Sequence, residues 1–147
     1  MMIRDMMPED VPVVATIEEA CFSQPWSRKS FLDSIAREDT LFLVCVDEEN
    51  VPQGYVGMYL SFDEAEITNV AVNPESRKRG YGDALVTAAK SKARDREIQQ
   101  ILLEVRYSNE PAISLYTKHG FEEIGIRKGF YEFPTEDARI MSCQLSI

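Results

Sequence analysis

Val70-Ala71-Val72-Asn73-Pro74-Glu75-Ser76-Arg77-Lys78-Arg79-Gly80-Tyr81-Gly82-Asp83-Ala84-Leu85 is the stretch on which the fold turns. Apolar residues end a strand, Pro74 sets a turn, and a basic loop with two glycines follows. Leu85, Ala88, Ala89 and Lys92 then recur at helical spacing, with small alanines that allow close approach to a sheet. A helix start exposes unpaired N–H groups and a partial positive charge, and glycine lets a ligand come close to the backbone. Arg77, Lys78 and Arg79 add formal charge, so the junction suits a pyrophosphate. The same residues equally suit a plain helix start behind a solvated basic turn. Gly80-x-Gly82-x-x-Leu85 lacks the third glycine of the dinucleotide fingerprint, and no G-x-x-x-x-G-K-[ST] run occurs. A dinucleotide site of that type and a P-loop are both excluded.

Working back from this stretch, Glu66 to Val72 and Gly54 to Phe62 read as strands reversing at Asp63-Glu64. Leu41 to Val46 is short, β-rich and apolar throughout, as a strand buried on both faces should be. These three predict an antiparallel meander. Near the start, Ile3-Arg4 is extended and Pro8-Glu9-Asp10 suits a first helical turn. Val13, Ile17, Ala20 and Cys21 predict an amphipathic helix that Gln24-Pro25-Trp26 ends. Ser27 can cap a second helix with Phe31, Leu32 and Ile35 as its apolar positions. Working forward, Ile101 to Arg106 is a strand, and Ala112, Leu115, Tyr116 and His119 share a helical face ended by Gly120. Ile124 to Tyr131 and Arg139 to Leu145 are two last strands. The order β-α-α-β-β-β-α-β-α-β-β predicts one α/β domain over residues 1–147. Its sheet is mixed and mostly antiparallel, of six to seven strands, flanked by about four helices.

A chain of 147 residues can bury a sufficient core without disulfide or metal. Sixteen basic against twenty-five acidic side chains leave a net charge of −9, which argues against a nucleic-acid face and favours cationic partners. Cys21, Cys45 and Cys143 are far apart and odd in number, the pattern of reduced thiols rather than a disulfide frame or zinc site. No apolar signal region and no run of eighteen apolar residues occur. The expectation is a cytoplasmic protein with no metal and no membrane contact.

Arg77-x-x-Gly80-x-Gly82, preceded by Val70-Ala71-Val72 and Pro74, resembles the acyl-CoA-binding motif of the GNAT family of N-acetyltransferases. The element order resembles that family's fold along nearly the whole chain. The resemblance implies that backbone groups of Val70, Ala71 and Val72 hold the pantetheine arm of acetyl-CoA. It implies too that Arg77, Lys78, Arg79, Gly80, Tyr81, Gly82 and Asp83 wrap the pyrophosphate. Leu103-Glu104-Val105-Arg106-Tyr107-Ser108-Asn109, then Ala112 and Leu115-Tyr116, resembles the ribosomal-protein-alanine N-acetyltransferase branch, as do Pro25-Trp26-Ser27 and Tyr131 with Glu136-Asp137-Ala138. That branch implies Glu104 as proton acceptor, Tyr116 as proton donor, Asn109 as a cofactor contact and Tyr131 as part of the acceptor site. The acceptor it implies is the N-terminal amine of a protein, the alanine of a basic ribosomal protein, acetylated in a ternary complex. The chain departs from the branch at Phe130-Tyr131, where a tyrosine pair is common. A small-molecule amine acetyltransferase and an acyl-CoA-binding sensor are the alternatives, and the presence of both Glu104 and Tyr116 argues against the sensor.

Chemistry constrains the same residues independently. An α-amino group has a pKa of about 8, so attack near pH 7 needs a base. His119, the one histidine, sits beside Gly120, where a capping role suits it better than catalysis. Glu104 lies in an apolar strand, where burial would raise its pKa, or else it pairs with Arg106 or faces solvent. Tyr116 is either a core residue or the acid that protonates a departing thiolate. Asn109, with Pro111 behind it, suits an N-cap. Cys45 and Cys143 suit the core. Trp26 either plugs the core between the first two helices or shapes the acceptor groove.

Overall fold

The computed structural model describes residues 1–145. Along the chain run β1 (Met2–Asp5), α1 (Val11–Cys21), α2 (Arg28–Ile35), β2 (Thr40–Val46), β3 (Pro52–Ser61) and β4 (Glu64–Val72). Then come α3 (Tyr81–Asp95), β5 (Gln100–Arg106), α4 (Glu110–Lys118), β6 (Glu122–Tyr131) and β7 (Glu136–Gln144). Short 3-10 turns at Pro8–Asp10 and Pro74–Ser76 precede α1 and α3. The element order and mixed sheet agree with the sequence expectation.

The seven strands lie in the order β1-β2-β3-β4-β5-β7-β6. Every neighbouring pair is antiparallel except β4 with β5. Strand β2 is buried along its whole length because both its faces are covered. Leu41, Leu43 and Cys45 join a core with Leu85, Val86, Ala89 and Tyr116 from α3 and α4. Phe42, Val44 and Val46 meet Val11, Val14, Ile17 and Phe31 from α1 and α2 on the other side. Alternation therefore gives the strand two apolar faces, and the sequence shows a continuous apolar run.

Local signals act as the sequence suggests at several termini. Ser27 accepts from the Ser30 N–H at 3.1 Å, Asn109 accepts from the Ala112 N–H at 3.3 Å, and Gly120 ends α4 with φ 89°. Other expectations fail. Val13 and Ala20 are exposed, and α1 buries Val11, Val14, Ala15, Ile17 and Glu18 instead. Two overlapping apolar stripes existed, and docking on β3 selected the one that carries a glutamate. Leu32 in α2 and Lys92 in α3 also face solvent. Asp10 does not serve as a free acid in the first turn of α1. It is buried against the Arg4 guanidinium at 2.7 and 2.9 Å.

Two irregularities shape the centre of the sheet. In β4 the register passes from Gly57↔Asn69 to Met58↔Ile67, so Thr68 is an extra, bulged residue. The bulge reverses the alternation: Ala65, Ile67, Val70 and Val72 pack on the α3 side, while Asn69 and Ala71 face α1. Strands β4 and β5 pair only from Glu64↔Gln100 to Ile67↔Leu103. Beyond Ile67 they separate, and β4 loses its partner on that edge.

Candidate active site

The gap between the diverging strands is a cleft of about 720 Å³. Thr68, Asn69 and Val70 form one wall, and Glu104, Val105 and Arg106 the other. The connection between α1 and α2 and the turn between β6 and β7 close its ends. Ligands of sheets with parallel strands sit beyond the carboxyl ends of those strands, where the chain topology parts them.

Glu104 alternates with the buried Leu103 and Val105, so it lies on the sheet face away from α3 and α4. Tyr116 lies on the opposite side, in the core with Leu103 and Val105. The two meet the cleft from opposite faces, which only the parting of the strands permits. The Arg127 Nε approaches Glu104 Oε2 at 3.1 Å. Nevertheless that oxygen is fully buried and makes no hydrogen bond, because the contact lacks hydrogen-bonding geometry. Burial pushes the Glu104 carboxyl above the ordinary glutamate range, Arg127 opposes this and Glu66 adds to it. The expected Arg106 partner is not the one observed, since Arg106 bonds Glu136 at 3.2 Å.

Tyr116 is 7% exposed, packs at 5.6 Å against the Phe121 ring, and is pushed well up by burial and then by Tyr131. It is thus both a core residue and a wall of the cleft. Tyr131 lines the same cleft, and burial with the nearby Glu104 charge pushes its phenol up to about 12. Phe130 packs edge-on against it at 5.0 Å. Trp26 also does both things asked of it, packing on Phe31 and Phe42 at 5.3 and 6.0 Å while lining the cleft.

The basic loop lies beyond this cleft. Asn73 and Ser76 pin its proline turn to Gln53 at 3.2 and 2.6 Å. Arg77, Lys78 and Arg79 are exposed, and Gly80 takes φ 84° at the start of α3, a conformation that favours glycine. Gly80 supplies no side-chain cap, so the first N–H groups of α3 remain available. The Tyr81 ring is buried in the core, leaving only its backbone toward the loop. A Cβ at Gly82 would lie 3.2 Å from Leu115 Cδ2, so this glycine also lets α3 approach α4. The Asp83 carboxylate is engaged by His119 at 2.9 Å and Lys118 at 3.1 Å, which hold it below the usual range. His119 is accordingly structural.

Glu18 is a cleft residue that sequence reasoning missed. It is 1% exposed and takes three donors: the Tyr55 hydroxyl on Oε1, and the Trp26 N–H (3.1 Å) and Asn69 Nδ2 (2.8 Å) on Oε2. Burial still pushes its carboxyl above the ordinary range. One buried and one half-buried carboxylate therefore border the cleft. Glu18 is saturated with hydrogen-bond donors, whereas Glu104 Oε2 has only the Arg127 ion pair beside it. The signal available in the sequence was the spacing of Glu18 from Val11, Val14 and Ala15, which puts it on their apolar stripe, although Glu19 beside it is exposed.

The unpartnered edge of β4, the basic loop and the open start of α3 fit an extended ligand ending in a pyrophosphate. Among the described residues no group of three or more His, Cys, Asp or Glu side chains gathers as for a metal. No described helix is long and apolar enough to cross a membrane.

The sequence model of the acetyltransferase (GNAT) family matches residues 11–121. A [ribosomal protein bS18]-alanine N-acetyltransferase of Escherichia coli K12 is 32% identical over 99% of this chain and 98% of its own. That of Haemophilus ducreyi is 34% identical over 98% of this chain and 100% of its own. The crystal structure of the ribosomal-protein-S18-alanine N-acetyltransferase from Escherichia coli superposes with a TM-score of 0.91 and 31% identity, covering 99% of this chain and 94% of that one.

Proposed function

The chain belongs to the acetyltransferase (GNAT) family and is an N-acetyltransferase, and on that premise we propose that residues 1–147 act as one acetyl-CoA-dependent domain acetylating the N-terminal alanine of a ribosomal protein in the cytoplasm. The acceptor class rests on the two relatives described above, which carry that substrate in their names and align end to end. The single observation that carries the chemistry is the buried, unbonded Oε2 of Glu104 at the parting of β4 and β5.

Acetyl-CoA supplies, when bound, an acetyl group activated as a thioester. Val70, Ala71 and Val72 would hold its pantetheine arm through backbone groups on the free edge of β4. Arg77, Lys78 and Arg79, with the backbone from Gly80 to Asp83, would hold the pyrophosphate. Asn109 caps α4 and borders the cleft, so one residue can serve both the helix and the cofactor. Tyr131 forms part of the acceptor wall. Glu104 takes the proton of the incoming ammonium, which its raised affinity for protons favours. Strand N–H groups near Val70 to Val72 would stabilise the oxygen on which charge develops. Tyr116 donates its phenolic proton to the departing sulfur. The net charge of −9 suits a basic acceptor.

The test is acetyl transfer by purified protein to an alanine-starting basic peptide with blocked lysines, against a polyamine. Transfer to the peptide and not the polyamine is expected. Glu104→Gln should lower turnover by about 10²–10⁴-fold with acetyl-CoA affinity retained. Near-normal turnover in that variant would remove Glu104 as the base, and a preference for the polyamine would overturn the acceptor.

A further inference from the structure

Arg106, at the end of β5, gathers more partners than any role stated so far requires. Its Nη1 donates to the Pro134 carbonyl at 2.9 Å and to Glu136 Oε1 at 3.2 Å. Its Nη2 donates to the Glu132 carbonyl at 2.8 Å and to Ser23 Oγ at 3.4 Å. The guanidinium also lies 4.6 Å from the centre of the Tyr131 ring. Glu136 is held in turn by the Ser108 N–H at 2.6 Å. One planar cation thus joins three segments distant in sequence: the end of β5, the turn between β6 and β7, and the connection from α1 to α2.

Those segments frame the cleft, and their own supports are few. The β6–β7 turn carries exposed Phe133 and Pro134, and the pairing of β6 with β7 skips from Arg127↔Ala138 to Tyr131↔Glu136. After that interruption, the Tyr131↔Glu136 pair is the one rung of the ladder next to the turn. Ser23 lies in the irregular stretch after α1. Five donors in a rigid fork can order both segments at once, which a flexible ammonium cannot. Arg106 itself is 23% exposed and is spent on these contacts, with no hydrogen bond to the Glu104 carboxylate.

From this we infer that Arg106 is the positioning residue of the acceptor site: it latches the β6–β7 turn and the α1–α2 connection as the two walls between which the acceptor's N-terminal segment lies, and sets Tyr131 against it. This deepens the acetyl-transfer proposal and rests on it. Without the latch the walls must be ordered when the acceptor binds, and that entropy is charged to acceptor affinity rather than to chemistry. The cofactor loop, pinned to β3 by Gln53, should not notice.

The experiment compares Arg106→Gln with wild type in steady-state acetylation of an alanine-starting basic peptide with blocked lysines, and in acetyl-CoA binding by calorimetry. The expected result is a peptide KM raised about tenfold to a hundredfold, with kcat and acetyl-CoA affinity within about threefold. Arg106→Lys, which keeps charge but not the fork, should remain closer to Arg106→Gln than to wild type. If Arg106→Gln does not fold, Glu136→Gln serves instead; it weakens one contact and should raise the peptide KM in the same selective way. An unchanged peptide KM, or equal losses in kcat and acetyl-CoA affinity, would overturn the positioning role while leaving the acetyltransferase intact. A wild-type protein that does not acetylate the peptide would overturn the acceptor assignment, and the positioning role with it.

Discussion

Removing the charge of Arg127 should move the pH dependence of acetyl transfer in a direction opposite to removing that of Glu66. Arg127 approaches the Glu104 carboxylate at 3.1 Å and lowers its proton affinity, while Glu66 raises it. The Arg127 side chain is 58% exposed, so the pair is screened and worth about 1 kcal/mol or somewhat less rather than the interior value. Arg127→Met should therefore raise the proton affinity of Glu104 by about fivefold at most and move the lower break of the profile to higher pH. Glu66→Gln should lower it by less. Glu104 must be ionised to take the proton of the ammonium, so log kcat/KM should climb with a slope of 1 at acid pH. The profile becomes flat once Glu104 has ionised, and turns down above the amine pKa of about 8. Only the lower break should move between variants, and the amine break serves as an internal reference. Above it, Arg127→Met should match wild type within about twofold. Lower breaks that coincide in all three proteins, or move together, would refute Glu104 as the titrating base.

Substitutions at three other residues have equally definite outcomes. Tyr116→Phe should melt as wild type does but turn over about 10²–10⁴-fold more slowly at saturating substrates, since it keeps the ring in the core and removes only the hydroxyl of a cleft-lining residue; full activity would leave it a core residue alone. Glu18→Ala should cost about 3–5 kcal/mol in denaturant unfolding, because it opens a cavity and strands the Tyr55, Trp26 and Asn69 donors. Glu18→Gln, whose amide oxygen can take the Trp26 and Asn69 donors while its nitrogen donates to Tyr55, should cost only about 1 kcal/mol. Asp10 loses ground to burial, but Arg4 and the Met7 N–H outweigh that and hold its carboxyl below the ordinary range. A carboxyl lowered in the folded state stabilises above its unfolded pKa, and that contribution is lost as pH falls through the folded value. Asp10→Asn should therefore flatten the acid limb of stability against pH; an unchanged limb in thermal melts would refute it.

What could be read along the chain was whatever depends on near neighbours. Ser27 and Asn109 cap their helices because a short oxygen-bearing side chain reaches an N–H three residues on, and Gly80 and Gly120 supply backbone angles that other residues resist. The apolar run of β2, the basic loop before α3 and the positions of Glu104 and Tyr116 were legible for the same reason. Pairings between distant segments were not. The α1 stripe depended on which of two faces docked on β3, and the bulge at Thr68 depended on a register between two strands. Glu104 met Arg127 rather than Arg106 because β5 and β6 are placed by β7, which lies between them in the sheet. Glu18 becomes a saturated acceptor only where the Tyr55 hydroxyl, the Trp26 N–H and the Asn69 amide close over it, and Arg106, in the sequence one possible partner of Glu104, is taken up by remote segments instead. A hydrogen bond is a condition on a few tenths of an ångström. Residues thirty or fifty positions apart satisfy it only after the whole sheet has set its register and twist.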